Sequence, residues 1–183
     1  MQQKVIKIDC DGVLRDLLPG LCELYNNSFT CSITPENIKE YDLSKTFIKC
    51  MEIDGMLPNK WFFQEHGHII LRNAPALPKA KIAMDILHKK GYYIVIVSHQ
   101  SCGANQLATI EWLDSHQIYY DSICFTNQKD IVKGDIIVDD NVEFLNMCPD
   151  ERRICIKAPY NVGKHKYEEF DNLYDFVQTL KNI

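Results

Sequence analysis

The chain has no C-x-x-C pair, no apolar run long enough to cross a bilayer and no surplus of basic residues. Each gap closes off a class of protein. With no cysteines at ligand spacing, from one another or from the histidines, zinc ribbons and dithiol redox centres are excluded. A membrane helix needs about 20 consecutive apolar residues, and none occur. Lys and Arg number 20 against 25 Asp and Glu, for a net charge of -5. That balance suits neither a nucleic-acid polymer nor an anionic membrane as partner, so any phosphate must be held by a local site. Glycine and proline are sparse, at 8 and 7 residues, and no repeat, low-complexity tract or linker interrupts the chain. The 8 cysteines are an even number, which invites a disulfide framework. Against it, a core-type strand begins at Val5 and leaves no room for a leader, so reduced thiols and a cytoplasmic location are expected.

What is present reads as one globular core. A length of 183 residues with 46% hydrophobic content is enough for a sizeable interior. Short, β-branched apolar runs bounded by polar turns predict strands at Val5 to Ile8, Tyr92 to Val97, Ser122 to Phe125, Ile136 to Val138 and Arg153 to Ile156. Helical spacing appears between them at Ala80, Ala83, Met84 and Leu87, at Leu107, Ile110, Trp112 and Leu113, and at Leu173, Phe176, Val177 and Leu180. Strands apolar on both faces, alternating with helices, predict an α/β fold: a three-layer, Rossmann-like core built on a parallel sheet. The first two strands are separated by far more chain than one crossover requires. The expected division is a core of residues 1–14 and 77–183 with a small helical cap, residues 15–76, inserted after the first strand. Thr34-Pro35-Glu36 looks like a helix start within that cap.

The polar ends of the apolar runs carry the chemistry. Asp9 and Asp11 follow the first strand, Ser98 the second, and Asp139 and Asp140 the run Ile136 to Val138. A parallel sheet brings these ends to one edge, where ligands bind. Carboxylates gathered there repel one another, and a hard divalent ion with oxygen ligands relieves the repulsion; beside a phosphate, Mg²⁺ is the natural one. One carboxylate can then attack phosphorus, another can serve as acid and base, and a hydroxyl and a lysine can bind the transferring group. The lysine is Lys129 or Lys133.

The ordered segments "IDCDGVL", "IVIVSHQS" and "FTNQKDIVKGDIIVDDN" resemble the motifs of the haloacid dehalogenase-like (HAD) phosphohydrolases. Within that superfamily the chain is most similar to the 5'(3')-deoxyribonucleotidases, through "DGVL", a cap with "WFF", "ALPKA", "EWL" and "PYN". The resemblance implies a phosphomonoesterase acting on (deoxy)nucleoside 5'(3')-monophosphates through an aspartyl-phosphate. It assigns Asp9 as nucleophile and metal ligand. Asp11 becomes the acid and base, its backbone carbonyl touching the metal, and Ser98, His99 and Lys129 bind phosphate. Asp140 is the further metal ligand, with Asp139 supporting and Lys133 in reserve. His99 and Asn127 depart from the pattern, which often has a second hydroxyl and a basic residue there, so hydrolysis is better supported than any base or sugar preference.

Blander readings stand beside these. Asp-Gly is a common turn, but an isolated turn does not explain Ser98, the lysine and Asp139-Asp140 following in order. Phe47, Trp61, Phe62 and Phe63 are substrate-pocket candidates or cap core; three consecutive rings on a helix cannot all face inward, so at least one is expected in the cleft. His66 and His68 lack a third ligand and read as cap surface. The rival functions are a phosphatase of sugar phosphates or phosphoglycolate, a nucleotide-binding relative without catalysis, and a receiver domain, whose acceptor Asp should end a middle strand. The expected partner is a small nucleotide, and the oligomeric state stays open, a homodimer included.

Overall fold

The computed structural model describes residues 3–100 and 102–181. Six strands form one sheet: β1 (Val5–Ile8), β2 (Tyr93–Ser98), β3 (Ser122–Phe125), β4 (Ile136–Asp139), β5 (Arg152–Ile156) and β6 (Glu168–Phe170). Their order is β3-β2-β1-β4-β5-β6 and every pairing is parallel. The chain winds outward from β1 on one side and then returns to build the other, so β1 and β4 meet at the switch in direction. Ligands bind at the carboxyl ends of strands at such a point.

The two faces of the sheet differ. Ile6, Ile8, Ile136, Val138, Ile154 and Ile156 point to one side. There they pack with helices α5 (Ala80–Lys89), α6 (Gly103–Ser115) and α8 (Leu173–Thr179). Residues one position along point the other way, and on that face the apolar cluster is small: Ile137, Leu145, Cys148 and Cys155. Lys7 and Asp9 share that second face, so a charged column runs up the central strand.

The strands predicted from sequence are present, with the second shifted by one residue to Tyr93–Ser98, the fourth extended to Asp139 and the fifth extended back to Arg152. Two elements were not anticipated. Strand β6 is an edge strand of three residues that begins with two exposed glutamates, too short and too polar to show alternation. Helix α7 (Val142–Asn146) is a single short turn. Helix α6 is present but turned. Trp112 and Leu113 are buried as the spacing predicts, but Leu107 and Ile110 are 52% and 38% exposed, and Asn105 and Thr109 face inward.

Between β1 and β2 the chain forms α1 (Leu18–Phe29), α2 (Lys49–Asp54), α3 (Pro58–Lys60), a wider π-type turn over Trp61–Glu65 and α4 (Gly67–Asn73). These helices enclose a second apolar cluster that includes Tyr25, Phe47, Trp61, Phe62 and Leu71. The expected helix at Thr34 is one 3-10 turn, Pro35–Asn37, closed by a reciprocal Thr34–Asn37 cap. Entry and exit of this segment lie side by side. Leu77 donates to Leu14 at 2.8 Å and Asp16 to Pro75 at 2.9 Å, with an antiparallel bridge between Arg15 and Ala76. All 8 cysteines are free thiols. Among the described residues no helix is long and apolar enough to cross a membrane.

Candidate active site

Asp9 follows β1 and Asp139 ends β4, its neighbour in the sheet, so pairing brings their carboxylates together. Asp140 joins them, and one oxygen from each of Asp9, Asp139 and Asp140 lies within 4.8 Å of the others. All three are buried. At an effective dielectric near 20, two unit charges at that distance repel by roughly 3 kcal/mol, so the cluster requires positive charge.

Lys129 supplies part of it. The side chain is buried, with Nζ 2.6 Å from Asp139 Oδ2 and 3.0 Å from Asp9 Oδ1. It also lies over the Phe144 ring at 4.4 Å. Burial acts to lower the Lys129 pKa, but Asp139 and Asp9 outweigh it and hold the ammonium above its ordinary value. One ammonium among three carboxylates leaves a formal excess of two negative charges. The remaining strain shows in Asp9, whose carboxyl is pushed up to about 7, chiefly by burial, against the opposing pull of Lys129. Asp140 is raised well above the usual carboxylate range, first by burial and then by Asp139 and Asp9. Asp9 Oδ1 is buried and receives no aligned hydrogen bond despite its ion pair. Oxygen-only donors, buried, with a charge excess of two and an under-coordinated oxygen, fit a divalent cation.

Lys133 is exposed and lies on a separate small recess with Asp150 and Glu151, so only Lys129 stands among the acids. Ser98 ends β2, buried to 1% exposure, and with His99 lines a cavity of about 400 Å³ over the carboxylates. Burial and then Lys129 lower the His99 pKa, favouring the neutral ring. Asp11 is not in the carboxylate cluster. Its Oδ1 accepts from Arg15 Nε at 2.7 Å and its Oδ2 from Gln100 Nε2 at 2.7 Å.

Of the four aromatic candidates, Phe63 alone lines the cavity. Phe47, Trp61 and Phe62 instead fill the second apolar cluster, where Phe62 meets Phe47 edge-on at 4.9 Å between ring centroids. The π-type turn rotates the three consecutive rings so that two are enclosed and the third reaches the opening.

Several residues of the site carry no signal at the level of single motifs. Arg15 is fully buried; besides Asp11 it donates to the Leu71 carbonyl and to Thr109 Oγ1, both at 3.0 Å. Its partner Asp11 lies four residues earlier, across the turn that follows β1 rather than on a helix. Tyr160 donates a very short hydrogen bond to Asp140 Oδ2; burial, then Asp140, hold its phenol well above the usual range, so it stays protonated. Asn161 donates to the Asp140 carbonyl at 2.7 Å. "PYN" marks the place of both but not their target. Tyr41 stands edge-on to Tyr160 at 5.6 Å and closes that side of the cavity.

Gly12 explains the glycine after the acidic pair. Its φ is +80°, and a Cβ there would lie 2.3 Å from Asp140 Oδ2. The left-handed backbone costs a non-glycine residue about 1–2 kcal/mol, and the methyl must displace Asp140. We expect Gly12→Ala to lower activity at least about tenfold, since a displacement of 1 Å can cost on the order of 10²-fold. The melting temperature should drop as well, at about 2–4 °C per kcal/mol for a chain of this size. Wild-type kinetics with an unchanged melt would contradict the geometry.

A six-stranded parallel sheet with carboxylates and a lysine at its switch point is the fold shared with HAD-like hydrolases of known structure. Residues 3–182 match the family described as "5' nucleotidase, deoxy (Pyrimidine), cytosolic type C protein", and the chain belongs to that family; it is a phosphoric monoester hydrolase. It is similar to a 5'(3')-deoxyribonucleotidase of Bacillus subtilis (strain 168), 25% identical over 184 residues that cover 97% of this chain and 99% of the relative. A 5'(3')-deoxyribonucleotidase of Bacillus phage SPbeta matches with the same identity and coverage. In fold it is similar to a HAD phosphatase from Thermococcus onnurineus, with a TM-score of 0.55 at 14% identity, covering 98% of this chain and 99% of that one.

Proposed function

We propose that the protein hydrolyses (deoxy)nucleoside 5'(3')-monophosphates to nucleoside and phosphate, in a reducing cytoplasm, with Mg²⁺ held by Asp9, Asp140 and the backbone carbonyl of Asp11. The observation that carries this reading is the convergence of Asp9, Asp139, Asp140 and Lys129 under a cavity of about 400 Å³. When bound, the cation supplies charge neutralisation, letting an anionic substrate approach ionised carboxylates. A carboxylate oxygen of Asp9 attacks phosphorus; the new O–P bond forms as the ester P–O bond breaks, giving an aspartyl-phosphate. Asp11 takes up a proton at Oδ2 when that oxygen gives up its hydrogen bond from Gln100, and it donates this proton to the departing oxygen while Oδ1 keeps Arg15. Asp11 then takes a proton from water, the resulting hydroxide attacks phosphorus, and the bond to Asp9 breaks, restoring the carboxylate and releasing phosphate. Ser98, His99 and Lys129 hold the phosphoryl oxygens. Asp139 orients Lys129. The 15–76 segment is the cap: with Phe63 and Tyr41 it closes the cavity over a small substrate and keeps polymers out.

A panel of 5' and 3' nucleoside and deoxynucleoside monophosphates, run beside sugar phosphates and phosphoglycolate, tests the substrate class. We expect at least one nucleotide to exceed every other ester by tenfold or more in kcat/KM. A sugar phosphate or phosphoglycolate at the head of the panel would refute the nucleotide assignment. Excess chelator should reduce phosphate release to background. Mg²⁺ at a hundred times its dissociation constant should stabilise the fold by about 2.7 kcal/mol, a rise of roughly 5–10 °C in melting temperature. An unchanged melt together with full activity in chelator would rule out the cation site.

A further inference from the structure

Lys7 runs against the physics of its position. It lies within β1, a central parallel strand, where both faces are normally apolar, and its exposure is 0%. A buried ammonium is retained only when it is paired and hydrogen-bonded, and Lys7 is both. Its Nζ donates to the carbonyls of Lys129 and Val132, each at 2.8 Å, and lies 3.3 Å from Cys148 Sγ. It also pairs with Glu151 at 2.8 Å.

A purely structural ion pair explains the contact with Glu151 and nothing else. Replacing a buried pair with apolar groups is often neutral for stability, so the pair by itself is weak grounds for keeping a charge here. The two carbonyls are more informative. They bracket the short 3-10 turn Lys129–Ile131, the turn from which the Lys129 side chain reaches Asp9 and Asp139. Lys7 therefore grips both ends of the turn that carries Lys129. It does so from the same strand face as Asp9, two residues earlier on β1, so one rigid strand sets the carboxylate and the post that holds its cationic neighbour.

We propose that Lys7 is a positioning residue for the hydrolytic reaction: it holds the 129–132 turn so that the Lys129 ammonium stays aligned with Asp9. The inference rests on the catalytic reading of Lys129 above. Its removal lets the turn relax, and small misplacements of a charge-stabilising group cost rate more than they cost substrate affinity.

The test measures kcat and KM for p-nitrophenyl phosphate with Mg²⁺, together with thermal melts. The paired variant Lys7→Met/Glu151→Gln removes both charges and leaves no orphaned ion. We expect it to fold, with kcat lowered about 10- to 100-fold and KM within roughly threefold. Glu151→Gln alone takes the ion pair from Lys7 and should lower the melting temperature, but it keeps both carbonyl bonds to the turn, so kcat should stay within about threefold of wild type. A folded paired variant with wild-type kcat, a loss confined to KM, or a Glu151→Gln enzyme as slow as the pair would overturn the proposal. Should the paired variant not fold, Gly134→Ala decides. Its Cβ would lie 3.1 Å from Lys7 Cγ and 3.4 Å from Glu151 Oε2, so it crowds the Lys7 stem by a few tenths of an ångström and leaves the charge in place. A severalfold fall in kcat at constant KM supports the role, and wild-type kcat overturns it. Lys129→Met separates the two levels: if that enzyme keeps full activity, the catalytic reading itself has failed. If it is inactive while the Lys7 variants are not, only the positioning role falls.

Discussion

Asp9→Asn is expected to lower phosphate release by roughly 10⁴- to 10⁶-fold, the range seen when a group that acts as part of a catalytic unit is removed, while the protein stays folded. The amide matches the carboxylate in shape and removes its capacity to form an ester with phosphorus. Stability should follow a different course from activity. Burial is the main reason the Asp9 carboxyl titrates near 7, so its ionised form costs the fold free energy that an amide does not. The amide takes one partner from Lys129, which keeps Asp139 at 2.6 Å. The melting temperature in metal-free buffer should therefore match or exceed the wild type. Phosphate release and thermal melts on the same preparation are sufficient, and an active, well-folded Asp9→Asn protein would remove the nucleophile from the mechanism.

Lys129→Met should have the second largest effect, and it should damage both properties at once. In the folded chain Lys129 is the ammonium that contacts Asp9 and Asp139. Removing one partner from a buried charge cluster costs about 3–5 kcal/mol, because the others are left unpaired. For a chain of this size that is a drop of roughly 6–20 °C in melting temperature. Activity should decrease by about 10²- to 10³-fold, the loss on removing one preorganised charge-stabilising group. Millimolar Mg²⁺ should recover part of the stability, since a cation among the same carboxylates replaces some of the missing charge, but not the rate. A variant that melts like the wild type in chelator would show that the cluster is less charged than its geometry implies.

The contrast between Lys129 and Lys133 shows where reading a sequence stops. Both precede Asp139 within one loop, and no periodicity governs a loop, so spacing does not say which side chain turns inward. The difference arises from the 3-10 turn at Lys129 and from Lys7 beneath it, contacts made by residues more than a hundred positions apart. Helix α6 makes the same point from the opposite side. Its apolar spacing suggested Leu107, Ile110, Trp112 and Leu113 as the inner face; Trp112 and Leu113 are there, but Asn105 and Thr109 take the place of the other two. Asn105 donates to the Phe63 carbonyl at 2.7 Å and Thr109 receives Arg15, so the helix presents polar groups to buried partners that lie elsewhere in the chain.

The primary structure was enough for the kinds of group available and the order along the chain of the strands that deliver them, because a short β-branched apolar run with a polar end is a local pattern. The position of Asp9, Asp11, Ser98, Asp139 and Asp140 at or just beyond strand ends was legible for that reason. Pairwise facing was not, and it came from packing. Asp11 turns to Arg15 and Gln100 rather than to the other acids, Tyr160 and Asn161 reach back to Asp140, and Phe63 parts from its two aromatic neighbours. Those outcomes depend on how distant segments satisfy one another's charges and hydrogen bonds inside a common interior, a condition of the whole fold that no stretch of residues carries alone.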